Sequence, residues 1–413
     1  MTSLIEDMVT AIVRPPRAKY TATDLGPSRL RCRGVEYKRE DFDVTNHRGE
    51  KLKSSLWITT HHSSAKPEFC IIYLHPNSGS RVDVVRTKIM AVAAQAQCSV
   101  CSFDFSGCGL SDGEYISLGV REKEDVCLVM VELMNRGFNR FLLWGRSMGA
   151  ATSVMFYGAY KDLLKGTIAA MLLDSPFTSF KGLADEYTKS KIQIPQLLLS
   201  PALHYIKRVV DQKYQFDLMQ MSPISAASDV DVFTMVLSGQ EDKIVPPHLS
   251  LELYAHLTGP KIRVFFDGGH NSHRPPEIFD AIQQVVSGAV SETSDLDLLS
   301  SLVANLESVV QPSHRRTVSA GPSLQGGGAV TSVNLTAIKS EAAPGVSRSS
   351  RSETNSPSSR PKLTPEEQQE EAEKIAQEAQ AAMSNLLKVK SLNSLTQSDI
   401  AQAFGNQYKL SVE

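Results

Sequence analysis

The chain has 413 residues, with 43 Lys and Arg against 45 Asp and Glu and a formal net charge of -2. At about 150 residues per domain this length holds two or three domains, or one larger α/β domain with appended segments. The even charge balance lacks the basic excess by which nucleic-acid binders neutralise phosphates, so no nucleic-acid partner is expected. Hydrophobic residues make up 41% of the chain, yet no apolar run approaches the roughly 20 residues needed to cross a bilayer. No transmembrane segment is expected, and peripheral membrane contact stays open.

The first ten residues, MTSLIEDMVT, carry acids and lack the basic and apolar stretches of a secretory signal, and Thr2 is not an N-myristoylation site. The expected location is cytoplasmic. Six cysteines are scattered at 32, 70, 98, 101, 108 and 127, too sparsely for a disulfide framework, which predicts free thiols. Cys98 and Cys101 form a CxxC, but CSVCSFDF reads as a strand, and positions three apart on a strand face opposite ways. A shared metal or redox role is therefore disfavoured.

After an N-terminal extension over 1–33, strand-like and helix-like stretches alternate through 34–290. An antiparallel pair over 35–45 and 51–60 opens the series around His47-Arg48-Gly49. Short apolar runs follow at 69–74, 99–103, 141–144, 168–173, 232–237 and 262–266, each trailed by a helical stretch. Runs of this length suit strands buried on both faces, and the alternation predicts a mostly parallel sheet flanked by helices. The stretch 177–228 interrupts the pattern with helical periodicity broken at Pro195 and Pro201, and predicts a small helical cap.

The composition changes past 290. Residues 313–361 are rich in Ser, Gly, Pro and Arg, with too little apolar surface to offset the entropy of ordering, so 291–361 is expected to be a mostly disordered linker. Arg315-Arg316-Thr317-Val318-Ser319 and Asn355-Ser356-Pro357 resemble kinase targets, a match that Ser-rich tails also produce by chance. Within 362–413, Thr364-Pro365-Glu366-Glu367 forms a capping box with Pro at the first helical position, and Ile375, Ala379, Met383 and Leu386 share one face. Two readings of this helix stand: a solvated surface, or a docking element for a protein partner. The apolar-spaced stretch 296–310 could pack on the core or meet it.

The strongest chemical signal is Gly145-Arg146-Ser147-Met148-Gly149, between the strand Phe141-Leu142-Leu143-Trp144 and a helix-prone stretch beginning at Ala150. A strand that turns this sharply into a helix forces its serine into a strained, exposed conformation, and only small residues at 145 and 149 relieve the crowding. A serine hydroxyl is a weak nucleophile at neutral pH and needs a base, which in turn needs an orienting acid. Asp242 follows the strand at 232–237, and His270 follows the strand at 262–266, both in loops on the edge that carries Ser147. The order Ser, Asp, His is that of hydrolases with a nucleophile elbow.

Glu241 and Asp174 compete with Asp242 for the acid. His273 lies close to His270, whereas His204, His248 and His256 sit in helical contexts that suggest surface or packing roles. For the oxyanion hole, Leu74-His75-Pro76-Asn77-Ser78-Gly79 follows the strand at 69–74 and brings the Asn77 amide beside the elbow, while Met148 supplies the amide after the nucleophile.

The segments HPNSGSR, DFSGCGLSDGE, GRSMGA, GQEDKIVP and GGHNS together resemble the serine hydrolases of the α/β-hydrolase superfamily. The resemblance is nearest to its serine aminopeptidase-like branch, which also holds acyl-protein thioesterase-like and monoacylglycerol-lipase-like enzymes. It covers about 34–290 and implies an eight-stranded sheet, Ser147 as nucleophile, Asp242 and His270 completing the triad, and an oxyanion hole at Asn77 and Met148. Relatives usually carry His-Gly where this chain has His75-Pro76, and proline has no N–H. The donor falls on Asn77, so the hole is expected to survive with a stiffer loop. Cys108, within DFSGCGLSDGE, reads as packing.

These readings converge on a serine hydrolase that cleaves a carboxylic ester, thioester or amide through an acyl-enzyme, with no metal or organic cofactor. The apolar cap, including Leu197 to Leu199, suggests an acyl or other apolar substrate, although cap helices also show apolar residues simply to pack. An aminopeptidase would need an acidic pocket for a free amine, for which Asp185 and Glu186 are candidates. A non-catalytic scaffold working through its C-terminal helix is the remaining alternative.

Overall fold

The computed structural model describes residues 9–292, apart from Ala11, 60–67, Leu163, Thr188 and 190–195, together with the backbone of 330–334. Ten strands form one sheet: β1 (Arg29–Cys32), β2 (Val35–Thr45), β3 (Lys51–Thr59), β4 (Glu68–Leu74), β5 (Ser99–Phe103), β6 (Phe138–Arg146), β7 (Ile168–Asp174), β8 (Phe233–Gly239), β9 (Lys261–Phe266) and β10 (Val330–Asn334). Their order across the sheet is β1-β2-β3-β5-β4-β6-β7-β8-β9-β10. The pairs from β1 to β5 through β2 and β3 are antiparallel, and every pair from β5 to β10 is parallel.

Strands β2 to β9 are the eight expected ones, and their crossed order gives the α/β-hydrolase fold. Two edge strands extend it. β1 turns into β2 through Arg33 and Gly34, at φ 45° and 86°, the two left-handed residues of a tight hairpin. The arginine at the first of these positions hides the turn from a sequence reading. β10 pairs with β9 from within the stretch expected to be a disordered linker. Residues 293–329 and 335–361, the candidate phosphorylation sequences and the C-terminal helix lie outside the described residues.

Strand alternation divides the core. Phe141 and Leu143 of β6, with Met171 and Leu173 of β7, face one cluster, where α3 (Glu122–Asn135), α4 (Met148–Tyr160) and α8 (Pro247–His256) contribute Val126, Val154 and Leu253. Leu142, Trp144, Ala170 and Leu172 face the other, covered by α2 (Ile89–Ala96) and α9 (Pro276–Ser291) through Ile89, Val92, Ile282 and Val285. A four-residue helix, α1 (Asp83–Arg86), leads into α2. Cys101 belongs to the first cluster and Cys98 to the second, so the CxxC straddles the sheet. Burial pushes both thiols up to about 12, which suits packing and not thiolate chemistry.

Between β7 and β8 the described residues hold three α-helices, in line with the helical periodicity: α5 (Phe180–Tyr187), α6 (Gln196–Tyr214) and α7 (Pro223–Ala227). The expected break at Pro201 is absent, because α6 runs through it. Near a helix start, proline forgoes a single bond, here to the carbonyl of residue 197. The side chains of Leu197 to Leu199 lie outside the described residues. The N-terminal extension packs against the domain, with Val9, Ile12 and Val13 buried in the first cluster.

Candidate active site

β6 passes into α4 through Ser147, whose backbone sits at φ 51°, ψ -114°, a region that costs a non-glycine residue about 1–3 kcal/mol. The strain persists because the neighbours leave no alternative. A Cβ on Gly145 would lie 2.4 Å from the Gly149 carbonyl oxygen, and one on Gly149 would lie 2.0 Å from that of Leu74. Gly149→Ala is therefore expected to force the elbow off the end of β4, destabilising the chain by about 3 kcal/mol or more. A lowered Tm together with lost labelling by a serine-directed probe checks this; an unchanged Tm would mean that the elbow yields more easily than the contact implies.

The two loop residues singled out with Ser147 meet it in space. The Ser147 hydroxyl lies 3.1 Å from His270 Nε2, and His270 Nδ1 lies 2.6 Å from Asp242 Oδ2. All three side chains are buried. The other Asp242 oxygen, Oδ1, accepts the amides of Ile244 at 2.9 Å and Val245 at 2.8 Å, which fixes the carboxylate plane. An acceptor carboxylate on Nδ1 requires the proton there and leaves the Nε2 lone pair for the serine O–H.

The competing groups are placed elsewhere. Glu241 is exposed, as are His204, His248, His256 and His273. Asp174, at the end of β7, points its carboxylate at Arg274: Nε lies 2.9 Å from Oδ2 and Nη2 2.7 Å from Oδ1. That guanidinium holds the Asp174 carboxyl below its ordinary value despite full burial. Asp174 is nonetheless part of the site, since its backbone carbonyl accepts the Ser147 amide at 2.7 Å.

Comparison with known proteins gives distant relatives. No family model matches the chain. It is similar to the lysophosphatidylserine lipase ABHD12 of Danio rerio, at 25% identity over 214 residues that make up 50% of this chain and 51% of that one. The same lipase of Gallus gallus is 27% identical over 208 residues, 49% of this chain and 50% of that one. The chain thus spans about half the length of the curated relatives it matches. Among solved structures it is similar to the Pyrococcus furiosus esterase Pf2001, with 19% identity, a TM-score of 0.48, and coverage of 68% of this chain and 99% of that one. The acetyl xylan esterase from Paenibacillus sp. R4 is 16% identical with a TM-score of 0.46, covering 70% of this chain and 99% of that one.

The loop after β4 is braced from below. His75 is fully buried, its Nε2 accepting the Phe105 amide at 3.1 Å and its Nδ1 donating to the Pro76 carbonyl at 2.8 Å. Burial also lowers the tendency of His75 to protonate, so a neutral ring with both nitrogens engaged fixes the loop. The Pro76 carbonyl additionally accepts the Gly79 amide at 2.8 Å. The stiffness expected from His75-Pro76 thus has a physical basis, and Asn77 sits between these anchors. Met148 opens α4 directly after Ser147. Beneath the neighbouring loop, Asp104 accepts the amides of Arg81 and Leu110, each at 2.8 Å, and also the Tyr20 hydroxyl. Cys108 is buried there with its thiol pushed well up, in keeping with packing.

Asp83 was not foreseen from sequence. It is buried beneath Gly79, and its Oδ2 has no hydrogen-bond partner among the described residues. Desolvation pushes its carboxyl up to about 7, opposed by the charges of Arg146 and Arg86 and reinforced by Asp104. Asp125, beside Arg48, is likewise pushed up to about 7 by burial. Between about pH 4 and 7 the folded state keeps protons that the unfolded chain has shed, so these groups make stability fall as pH rises. Asp83→Asn removes its share, at most about 4 kcal/mol. Urea unfolding at pH 5 and pH 8 should show a smaller loss across that interval for the variant than for the parent chain; identical losses would place the ionisation elsewhere.

Among the described residues no cluster of His, Cys, Asp and Glu could hold a metal ion, and no helix is long and apolar enough to cross a membrane.

Proposed function

We propose that the chain is a serine hydrolase of the esterase and lipase type, cleaving a carboxylic ester through an acyl-enzyme. The observation that carries this reading is the continuous hydrogen-bonded line from Ser147 Oγ through His270 to Asp242, at 3.1 Å and 2.6 Å. In this reading His270 Nε2 takes the Ser147 proton as Oγ attacks the acyl carbon. The proton then passes to the departing alcohol, and Asp242 stabilises the transient imidazolium. The Asn77 and Met148 amides bind the tetrahedral oxyanion, a contribution of about 10²–10³ in turnover per donor. Water then repeats the sequence on the acyl-enzyme.

The relatives named lysophosphatidylserine lipase support a lipid ester as the substrate class, and a single-chain lysophospholipid ester is the corresponding proposal here. The aminopeptidase reading receives less support. Glu186, a candidate for holding a free amine, is paired with Lys189 at 2.8 Å and lies 3.4 Å from His248. A scaffold without activity has no use for an aligned proton path.

Fluorophosphonate labelling and turnover of lysophosphatidylserine, p-nitrophenyl acyl esters and aminoacyl amides form the test. Ester kcat/KM is expected to exceed that for the aminoacyl amides by about 100-fold or more. The reverse order would replace the esterase reading with a peptidase, and no labelling or turnover with any substrate would leave the scaffold.

A further inference from the structure

The distance between Ser147 and His270 is not set by either residue alone. Ser147 stands at the end of β6 and His270 in the loop after β9, with β7 and β8 between these strands in the sheet. At a strand spacing of about 4.8 Å, the two loops start some 14 Å apart. A misplacement of about 1 Å in such an arrangement costs on the order of 10²-fold in rate.

Asp174 spans the gap. Its backbone carbonyl accepts the Ser147 amide at 2.7 Å. Its carboxylate receives both arms of Arg274, at 2.9 Å and 2.7 Å, and the Ser175 hydroxyl at 3.0 Å. Arg274 in turn donates from Nη2 to the His270 carbonyl at 3.2 Å and from Nη1 to the Ser272 carbonyl at 2.6 Å. Its guanidinium lies 4.5 Å from the centre of the Phe266 ring, at the end of β9, and the side chains of Asp174 and Arg274 are each 8% exposed. A second guanidinium reaches the same carbonyl: Arg146, next to the nucleophile, donates from Nη2 to the His270 oxygen at 2.9 Å and to Asn271 Oδ1 at 3.1 Å.

One residue therefore holds the nucleophile by its backbone and the base's loop by its side chain. We propose that Arg274, clamped by Asp174, is a positioning residue that sets the reach of His270 to Ser147. This rests on the serine-hydrolase reading for its kinetic consequence but not for its geometric one. Planarity matters: the forked guanidinium matches the carboxylate while leaving an N–H for the His270 carbonyl, and a lysine ammonium offers no such fork.

The test uses the full chain with Arg274→Ala, Arg274→Lys and Arg274→Gln. Arg274→Ala is expected to lower ester kcat about 100-fold with KM within about twofold, since no substrate contact is lost. Arg274→Lys should stay closer to Ala than to the parent, and added guanidinium ion should restore part of the kcat of Arg274→Ala. A readout independent of turnover is the low-field proton NMR signal of the His270 Nδ1–H bonded to Asp242, which should weaken or vanish in Arg274→Ala. Should Arg274→Ala fail to fold, Arg274→Gln keeps the stem and one donor group and is read by the same signal. Turnover within twofold of the parent, or an unchanged low-field proton in a folded variant, overturns the proposal. If the parent hydrolyses no ester, the hydrolase reading fails while the low-field proton still decides the positioning role.

Discussion

Ser147→Ala and His270→Ala are each expected to lower ester turnover by about 10⁶-fold, and the double variant should lose no more than either single one. The reason lies in the sharing of one proton. The Ser147 hydroxyl, 3.1 Å from His270 Nε2, has no other hydrogen-bonded base among the described residues to take its proton, and an imidazole without the hydroxyl has nothing to activate. Removing either part removes the whole unit, so the losses do not add. Initial rates on a p-nitrophenyl ester, paired with fluorophosphonate labelling, measure both effects. Persistent labelling of Ser147→Ala, or single losses that multiply in the double variant, would show that the nucleophile is another residue. Ser147→Gly separates activity from stability. At φ 51° glycine is relaxed where serine is strained, so this inactive variant should be more stable by about 1 kcal/mol.

The central line of the site was legible because each of its members is announced by its own local pattern. Ser147 stands between two glycines at a strand-to-helix turn, and Asp242 and His270 each follow an apolar run ending at the same sheet edge. The open choice of acid could not be closed that way. Asp174 also ends a strand, and only its partnership with Arg274, 100 residues further along the chain, takes its carboxylate out of contention. A contact of that span leaves no local trace. The same holds for Asp83, buried against Gly79 of the loop after β4, and for Tyr20, which meets Asp104 from 84 residues away. The fold was legible for a related reason: apolar runs alternating with helices allow few topologies. β1 escaped because none of its four edge-strand residues is fully buried, and β10 because it lies within a stretch of Ser- and Gly-rich composition.

The site is a convergence of loops at one edge of a stiff sheet. β4 leads into the braced segment at Pro76 and Asn77, β6 into the turn at Ser147, β7 ends at Asp174, and β8 and β9 lead into the loops that carry Asp242 and His270. A strained serine and a buried carboxyl whose Oδ2 has no partner among the described residues are both tolerated there because the sheet beneath carries a buried apolar cluster on each face, which over-determines the position of each loop.

Asp242→Asn should lower kcat about 10⁴-fold while leaving KM and Tm near those of the parent, the scale on which a triad fails when its imidazole is held in the wrong tautomer. An asparagine fits the same space, and its oxygen can keep the Ile244 and Val245 amides at 2.9 Å and 2.8 Å. Its NH₂ group then takes the place of Oδ2, 2.6 Å from His270 Nδ1. A donor facing Nδ1 makes that nitrogen an acceptor and moves the ring proton to Nε2, where it meets the Ser147 hydroxyl instead of receiving its proton. Glu241→Gln, one residue away and exposed, should change turnover by less than about twofold, because surface substitutions away from such features have small effects. Comparable losses in the two variants would mean that the loop and not the Asp242 carboxylate orients the base. A loss confined to Glu241→Gln would transfer the acid role from Asp242 to Glu241.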